Sequence, residues 1–439
     1  MATANVLRNQ LREEASTLLA KEGKGTIVAD MGSGKSWIAL DSVLKVSSNF
    51  PSNYVIKILI TSPRTNLKDN WRTELKKFGF SQKTEEVWVH KVDGEIIEYE
   101  VTLENVQTAY KWSESAWIKF DIIIADEIHT MMTDQYGRIF NVPHKYLFGF
   151  TGTPDDIKED KAVAYETVAP VLMRYHNAAD DGMINKRKYI LFQKPLLSVN
   201  KMSLQIRKKI HLMGEFEINR YYNNLVQSRE RYLKTMTGGS SEAAWTLANR
   251  VIGNPGSGRQ QKIAAFAYKK AIRERAEFLY SIPSNVGLVK ILISKIHEVD
   301  SDGKVLVFSK RNEQIVKICG SNVVYQKNNN EKNAEVIQKF NNSDIQIIGS
   351  CESLTLGLNL VNPKYAIVES FTGSATETLQ KLGRTNRLDK DDVAINTFIV
   401  PKDSQAVKWF ESFLYDAGLS YSDFEVVRDS NEFKRLIAQ

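Results

Sequence analysis

One eight-residue stretch constrains the fold of this chain more than any other. Residues 29–36 read Ala-Asp-Met-Gly-Ser-Gly-Lys-Ser, between an apolar run at 26–29 and a run of helical character from Trp37 onward. This is the strand–loop–helix context of a phosphate-binding loop. Glycines let the backbone turn its N–H groups toward an anion, and the following helix adds its positive dipole end. The stretch predicts a nucleotide site, with a chance turn before a helix as the alternative.

The side chains of this loop suit a nucleotide carrying Mg²⁺. Lys35 supplies a positive charge for the β- and γ-phosphates, and the Ser36 hydroxyl is a ligand for Mg²⁺. The nucleotide is ATP in this prediction. The loop residues predicted to bind it are Met31, Gly32, Ser33, Gly34, Lys35 and Ser36.

Length and composition fit a protein of two or three globular domains. The chain has 439 residues, and its two cysteines, Cys319 and Cys351, have neither metal-ligand nor disulfide-framework spacing. The first residues lack an apolar signal core, and no apolar run approaches the ~20 residues that span a bilayer. We therefore expect no membrane partner and a cytoplasmic location, in the host cytoplasm if phage-encoded, or a nuclear one in a eukaryote.

The positive charge of the chain is concentrated in its middle. Residues 183–283 hold 19 Lys and Arg against 6 Asp and Glu, whereas the whole chain has a net charge of +7. This segment carries the entire positive excess, as a polyanion-binding segment does. A solvated basic helical face is the alternative.

Apolar runs alternate with amphipathic stretches on both sides of this basic segment, which predicts an α/β fold with parallel sheets. Predicted strands before it are 25–29, 56–61, 87–90, 121–125 and 146–150, and predicted helices are 7–20, 37–46 and 66–78. After it the predicted strands are 304–309, 345–349, 365–369 and 397–400, with helices at 331–341 and 376–382. The middle, about 204–280, and the tail, 403–439, are predicted to be helical. The predicted domains are 1–178, 179–284 and 285–439.

A pair of carboxylates follows one of these strands. Asp126 and Glu127 end the apolar run 121–125, about 90 positions after the phosphate loop. In nucleotide hydrolysis one carboxylate holds Mg²⁺ and a neighbouring one polarises the attacking water. Asp126 fits the first role and Glu127 the second, whereas an acidic turn at a strand end is the alternative.

Two arginines in the last third share one face of a helix or turn. Arg384 and Arg387 lie at positions i and i+3 in the stretch that begins at Gln380. An arginine from a second lobe neutralises charge that develops on the γ-phosphate during hydrolysis. By itself the motif also fits a solvated basic helix end.

These motifs, in this order, resemble those of the superfamily-2 helicases and translocases, over about residues 7–170 and 303–400. The resemblance implies two RecA-like lobes in tandem, ATP and Mg²⁺ as cofactors, and nucleic acid as partner. It assigns Gln10 to the adenine, Gly357 to nucleotide binding, and Ser36 and Asp126 to the metal. The catalytic residues that it implies are Lys35, Asp126, Glu127, Gln380, Arg384 and Arg387.

The same resemblance assigns nucleic-acid contacts that are independent of base sequence. Those in the motif blocks are Arg64, Asn70, Thr108, Lys310 and Thr355. The basic segment lies outside this resemblance, and its positive charge predicts further contacts at Arg207, Lys208, Lys209, Lys269 and Lys270. The aromatic residues Tyr221, Tyr222 and Trp245 fit either base stacking or helix packing, and His129 fits either coupling of the two sites or a core histidine.

Residues 151–154, Thr-Gly-Thr-Pro, and 357–360, Gly-Leu-Asn-Leu, resemble the Snf2-like and phage branch-migration groups more than the DEAD-box RNA helicases. The acidic motif, Asp-Glu-Ile-His, is of DExH type. The predicted function is an ATP-dependent DNA helicase or translocase on branched or double-stranded DNA, in replication, recombination or repair. It is predicted to be a monomer or weak oligomer that works with replication or recombination proteins. The alternatives are an RNA helicase, an ATP-regulated clamp or translocase without unwinding, and the motor subunit of a restriction-type complex.

Overall fold

The computed structural model describes most of the chain. The described residues are 2–30, 32–63, 67–92, 94–114, 118–152, 159–175, 186–199, 201–206, 209–239, 241–325, 328, 330–351, 360–370, 372, 378, 382, 392–417 and 419–439. They form two compact units. The first comprises Met1–Arg187, Leu354–Asn362 and Leu379–Ala394, and the second comprises Lys188–Ser353, Pro363–Thr378 and Ile395–Gln439.

The first unit contains an eight-stranded sheet with strand order β3-β4-β5-β2-β6-β7-β1-β8. Its strands are β1 (Lys24–Ala29), β2 (Ile56–Ser62), β3 (Ser81–Gln82), β4 (Val87–Val92), β5 (Glu95–Asn105), β6 (Ile122–Asp126), β7 (Tyr146–Thr151) and β8 (Val171–Tyr175). Six neighbouring strands, β5, β2, β6, β7, β1 and β8 in sheet order, pair in parallel. β3 and β4 add an antiparallel edge. The carboxyl ends of the parallel strands therefore meet at one edge of the sheet.

Both faces of this sheet are buried, as expected for continuous apolar strands. Ile122 and Ile124 of β6 pack into one core, and Ile123 and Ala125 pack into another. The accompanying helices are α1 (Ala2–Glu22), α2 (Lys35–Ser47), α3 (Leu67–Phe78), α4 (Val106–Ala109) and α5 (Glu159–Val168). Apolar residues of α1 and α2, such as Leu19 and Leu40, belong to the first of these cores.

The second unit contains a seven-stranded sheet with strand order β13-β14-β12-β15-β16-β9-β17. Its strands are β9 (Arg187–Lys194), β12 (Val305–Phe308), β13 (Val323–Val324), β14 (Ile347–Ser350), β15 (Tyr365–Val368), β16 (Ala394–Pro401) and β17 (Phe424–Val427). Neighbouring strands run parallel. The accompanying helices are α9 (Pro283–Val299), α10 (Asn312–Cys319), α11 (Asn330–Asn341), α12 (Gln405–Ala417) and α13 (Ser430–Ile437).

Three long helices form most of the basic segment. They are α6 (Glu215–Met236), α7 (Ala244–Gly253) and α8 (Arg259–Leu279), and they share a small core that includes Leu233, Leu247 and Ala265. The predicted helical character begins too early, because β10 (Met202–Ile206) and β11 (Lys209–Met213) form an antiparallel hairpin before α6. Apolar and polar residues alternate along β10, and this period of two favours a strand.

The second sheet draws strands from outside the predicted second lobe. β9 lies in this sheet although it precedes the helical segment, whereas the predicted lobe begins at residue 285. The tail is not wholly helical either, since β17 pairs with β9 at the sheet edge. Phe424 and Val427 of β17 are buried, which explains why this short segment is recruited to the sheet. The helix predicted at 376–382 lies mostly outside the described residues.

Within the described residues, one helical stretch, Arg259–Val299, is long and apolar enough to cross a membrane by length and composition alone. It contains both α8 and α9. Many of its apolar side chains are buried, with Ala264 and Ala265 in the core of the helical segment and Leu292 and Ile296 in the core of the second sheet. These contacts account for its apolar composition.

Candidate nucleotide-hydrolysis site

The phosphate loop leaves the carboxyl end of β1 and enters α2 through two glycines with left-handed backbone geometry. Gly32 has φ 89° and Gly34 has φ 99°, values that side-chain-bearing residues rarely adopt. Gly34 is the N-cap of α2 and has no side chain to occupy the free N–H groups of the first turn. Ser33 is buried, and its hydroxyl donates to the Asp30 carbonyl at 2.7 Å. The loop thus turns sharply and presents the amino end of a helix.

Lys35 lies over this loop. Its ammonium group donates to the carbonyl oxygens of Ala29 at 2.8 Å and Asp30 at 3.1 Å. Ser36 follows in the first turn of α2 and is half-buried. The sequence therefore places a cation and a hydroxyl beside backbone N–H groups at one helix terminus, an arrangement that suits a phosphate with a bound divalent cation. Met31, also predicted for this site, lies outside the described residues.

The acidic pair lies at the end of β6. Asp126 is the last residue of the strand and is half-buried, whereas Glu127 is only 2 % exposed. Glu127 has φ 56°, a left-handed conformation that costs free energy in a glutamate. Such strain often occurs at functional sites, where the surrounding structure holds it in place. The two adjacent carboxylates thus differ in exposure and in backbone conformation.

A hydrogen bond joins the acidic turn to the neighbouring strand. His129 is buried, and its Nδ1 lies 2.8 Å from the Thr151 hydroxyl at the end of β7. The same nitrogen lies 3.6 Å from Glu127 Oε2. Lys161 of α5 donates to the His129 carbonyl at 3.0 Å. The histidine thus connects the turn after β6 to β7 and α5.

The strand order brings these groups to one edge. β7 lies between β1 and β6, with Thr151 opposite Val28 on one side and Phe150 opposite Asp126 on the other. Strands are about 4.8 Å apart, so the ends of β1 and β6 are separated by about 10 Å. The loop, the acidic pair and Thr151 therefore occupy adjacent positions at the carboxyl edge of the first sheet, where open α/β sheets bind their ligands.

The carboxyl edge of the second sheet carries a buried polar network that the sequence did not reveal. Glu369, just after β15, accepts hydrogen bonds from Ser309 at 2.8 Å, Ser370 at 2.7 Å and Asn285 at 2.9 Å. Burial raises the pKa of this carboxyl, and those three hydrogen bonds and the charge of Lys194 act against the rise. The backbone N–H of Lys310 donates to the Ser370 hydroxyl, so the loop after β12 is anchored here too.

Lys194 belongs to the same network. It is 6 % exposed, and its ammonium group donates to Asn285 Oδ1 at 2.8 Å and to the Ser284 hydroxyl. Burial lowers the pKa of Lys194 to about 8, while Glu215 and Glu369 act in the opposite direction. The buried Glu215 accepts from the Ser284 hydroxyl at 2.7 Å. The network thus connects the start of α6 to the start of α9 and to the sheet.

The predicted nucleic-acid contacts fall on several separate elements. Asn70 is half-buried in α3, Thr108 is exposed in α4 and Lys209 is exposed in β11. Lys269 of α8 donates to Asn249 at 2.7 Å and lies over the ring of Trp245, whereas Lys270 lies 3.8 Å from Glu274. Gln10, predicted for the adenine, is exposed on α1. The remaining predicted site residues lie outside the described residues: Arg64, Arg207, Lys208, Thr355, Gly357, Gln380, Arg384 and Arg387.

Two protein families match parts of the chain. Residues 2–156 match the family described as the res subunit of type III restriction enzymes, and residues 287–389 match the helicase conserved C-terminal domain. The DNA 3'-5' translocase XPB2 of Sulfurisphaera tokodaii is 23 % identical over 398 residues, which cover 89 % of this chain and 80 % of that protein.

Solved helicase structures share the fold. S. cerevisiae Dbp5 bound to RNA and ADP BeF3 superposes with a TM-score of 0.56 at 10 % identity, over 98 % of this chain and 92 % of that one. The helicase domain of Pyrococcus furiosus Hef gives a TM-score of 0.50 at 13 % identity, over 92 % and 97 % of the two chains. At these identities the likeness concerns the fold alone.

The fold is thus that of two RecA-like parallel sheets with a mainly helical segment between them in the sequence, which confirms the predicted architecture. The two matched families and the translocase relative together indicate a superfamily-2 helicase. It is an ATP-hydrolysing enzyme that binds nucleic acid, as predicted. The individual site residues and the domain boundaries stay predictions.

Proposed function

We propose that this protein is an ATP-dependent translocase or helicase of DNA, acting on branched or double-stranded DNA in replication, recombination or repair. The observation that carries the choice of DNA is the similarity to a DNA 3'-5' translocase, which extends over 89 % of the chain. The RNA-bound neighbour is only 10 % identical and bears on the fold alone. The basic helical segment supplies the positive charge that a phosphate backbone attracts.

The carboxyl edge of the first sheet supports ATP hydrolysis with Mg²⁺. Lys35 neutralises phosphate charge beside the N–H groups of α2, and Ser36 and Asp126 are oxygen ligands of the kind Mg²⁺ prefers. The bound metal supplies a positive charge for the phosphate oxygens. Glu127, held in its strained turn, orients the attacking water and accepts its proton. Gln380, Arg384 and Arg387 complete the catalytic set of this proposal.

The contact between His129 and Thr151 gives the hydrolysis site a connection to β7. Thr151, the last residue of β7, begins the Thr-Gly-Thr-Pro motif, and in this proposal its hydroxyl links the acidic pair to the nucleic-acid side. His129 lies beside Glu127, and one buried hydrogen bond of 2.8 Å joins its Nδ1 to the Thr151 hydroxyl of β7. In this proposal the bond couples ATP turnover to DNA binding.

The test is ATP hydrolysis by the full chain with forked DNA, four-way junctions, linear duplex, single-stranded DNA and matching RNA. We expect stimulation by DNA and little by RNA, since the proposal assigns DNA as the substrate. Stimulation by RNA alone would overturn it. Strand displacement assays on the same substrates separate a helicase from a translocase or clamp, because only the helicase releases the labelled strand.

A further inference from the structure

A cavity of about 580 Å³, lined mainly by charged and carboxamide residues, lies in the second unit beside the buried network described above. Its volume is within the range of small-ligand sites, roughly 300–1,000 Å³. Three cations and four carboxamides line it: Arg275, Lys402, Lys408, Gln193, Asn223, Gln227 and Gln405. Two carboxylates, those of Asp403 and Glu411, also line the cavity, and both residues are exposed to solvent.

The unusual member of this set is Arg275 on α8. Its guanidinium group is half-buried and donates to Asn223 Oδ1 at 3.3 Å. Its Nε is buried without a hydrogen-bond partner among the described residues, and no described carboxylate forms an ion pair with it. Burial lowers the pKa of this group, which shows that its surroundings disfavour the charge.

A half-buried cation without a counter-charge is costly, because its partial desolvation is not repaid. The nearby cations of α8 avoid this cost. Arg273 is exposed to solvent, Lys270 lies beside Glu274, and Lys269 is bonded to Asn249 and lies over an aromatic ring. Only Arg275, among these four, faces the cavity. A bound anion is the partner that its environment lacks.

The opposite wall of the cavity is a strained turn between β16 and α12. Asp403 has φ 54°, and its carbonyl accepts a hydrogen bond from the Asn219 carboxamide at 2.9 Å. Ser404 closes the turn by donating to the Pro401 carbonyl at 2.7 Å and accepting from the Ala406 N–H at 3.1 Å. This turn holds Lys402 and the amino end of α12 at the cavity, so the helix dipole adds to the positive potential.

The cavity also occupies the edge at which parallel sheets bind ligands. β9 and β16 run side by side in the same direction, with the Lys402 N–H donating to the Lys194 carbonyl at 2.8 Å. Both strands end there, and Gln193 and Lys402 reach the cavity from these two ends. Ligands of open α/β folds bind beyond the carboxyl ends of strands.

We propose that this cavity is a phosphate-binding site in which Arg275, Lys402 and Lys408 supply the charge and the carboxamides supply N–H donors. The ligand is a phosphate group, carried either by a nucleic-acid backbone or by a small phosphorylated compound. Only the first of these sources rests on the function proposed above. A guanidinium pairs with phosphate through two parallel hydrogen bonds, so Arg275 is the principal contact.

The variants are matched on one helix. Arg275→Gln removes the cavity cation and keeps a hydrogen-bonding side chain, and Arg273→Gln removes an exposed cation two residues away. Lys402→Gln removes the cation on the turn between β16 and α12. All are made in full-length Lys35→Ala protein, so that binding at the phosphate loop contributes little.

The measurement is the thermal unfolding midpoint in inorganic phosphate and in chloride at equal ionic strength. We expect phosphate to raise the midpoint of the parent and of Arg273→Gln, and to raise that of Arg275→Gln and Lys402→Gln much less. In chloride, Arg275→Gln should unfold at or above the parent midpoint, because it lacks an uncompensated charge. Equal phosphate effects in all four proteins overturn the proposal, as does a lower midpoint of Arg275→Gln in chloride with its phosphate effect intact. If Arg275→Gln does not fold, Lys402→Gln decides the question by the same comparison.

A second measurement identifies the source of the phosphate. Fluorescence anisotropy with a labelled single-stranded oligonucleotide should show about tenfold weaker binding by Arg275→Gln if the ligand is a DNA backbone. The dependence of the affinity on salt should then also decrease by about one charge. Unchanged DNA affinity with a lost phosphate effect assigns the site to a small phosphorylated compound. DNA-stimulated ATP hydrolysis by the wild-type chain is measured in parallel, so that a failure of the proposed function is visible separately.

Discussion

The carboxyl edges of the two sheets use their charges in opposite ways. At the first edge, Lys35 lies over a loop with the free amino end of a helix, and Asp126 remains half-buried at a strand end. At the second edge, Lys194 and Glu369 are buried in a network of hydroxyl and carboxamide groups. The same strand arrangement therefore supports an edge suited to ligands and, around Lys194 and Glu369, a network whose charges are satisfied internally.

This difference predicts how each edge responds to mutation. Charges that serve a ligand can be removed with little loss of stability, since they contribute little to packing. Charges that compensate one another inside the protein cannot be removed without a loss of stability, because removal of one leaves the others buried without a partner. We expect mutations at the first edge to change activity and mutations in the Lys194–Glu369 network to change stability.

The largest expected effect is that of Lys35→Ala on ATP turnover. Loss of the ammonium group removes the charge that faces the phosphates, and we expect a fall of at least about 10²-fold in kcat/KM for ATP. The thermal midpoint should change little. Lys45→Ala, in the last turn of the same helix, is the control and should retain activity. Retained turnover in Lys35→Ala would contradict the assignment of the phosphate loop.

Lys194→Met is expected to change stability more than activity. The change removes the cation that compensates Glu215 and Glu369, and we expect a loss of about 3 kcal/mol in the free energy of unfolding. Urea denaturation measures this loss. Lys339→Met breaks an exposed pair with Glu335 and should leave the denaturation midpoint nearly unchanged. Equal stability of the two variants would show that the second edge is not internally compensated.

Thr151→Val tests the connection within the first edge. The isosteric change removes the hydroxyl that bonds His129, and we expect the stimulation of ATP hydrolysis by DNA to fall about fivefold, as for the loss of about 1 kcal/mol. Thr26→Val is the control, since it removes a buried hydrogen bond to the Ala169 carbonyl instead. If both variants show normal stimulation, His129 is a core histidine and not a coupling residue.

Lys194 also predicts a pH dependence of stability. Lys194 in the native state releases its proton near pH 8, whereas the unfolded chain keeps it until about its ordinary value of 10.5. Between these values the unfolded state binds more protons, so this group makes stability rise with pH, by at most about 1.4 kcal/mol per pH unit. Urea denaturation between pH 8 and pH 10 should therefore show a less positive slope in Lys194→Met than in the wild type. Equal slopes would place the pKa of Lys194 at its ordinary value.

The strands, loop and helix that carry the predicted residues of the first edge could be predicted because their signals are local. Glycines, a lysine and a serine follow one apolar run, and two carboxylates end another. Strand β5 was missed, although polar and apolar residues alternate along much of Glu95–Asn105 and the apolar set is buried. The chain order of motifs was enough to predict the class of fold.

The second edge could not be predicted in this way. Lys194 is a lysine at a strand end and Glu369 a carboxylate at another, and either is ordinarily exposed. Their burial depends on Asn285, which lies 84 positions before Glu369 and bonds to both residues. Arg275 is similar, because only the fold shows that it faces a cavity while Arg273 faces solvent. Contacts of this kind depend on tertiary packing and leave no periodic pattern.

The most direct test of the central claim, that the first edge hydrolyses ATP in response to DNA, is DNA-stimulated ATP turnover by Glu127→Gln with ATP binding measured on the same protein. We predict that ATP binds with nearly wild-type affinity, since the loop and Lys35 are intact, while turnover falls by about 10²- to 10⁴-fold. Wild-type turnover in this variant would contradict the account, because hydrolysis would then not depend on the carboxylate held at the end of β6.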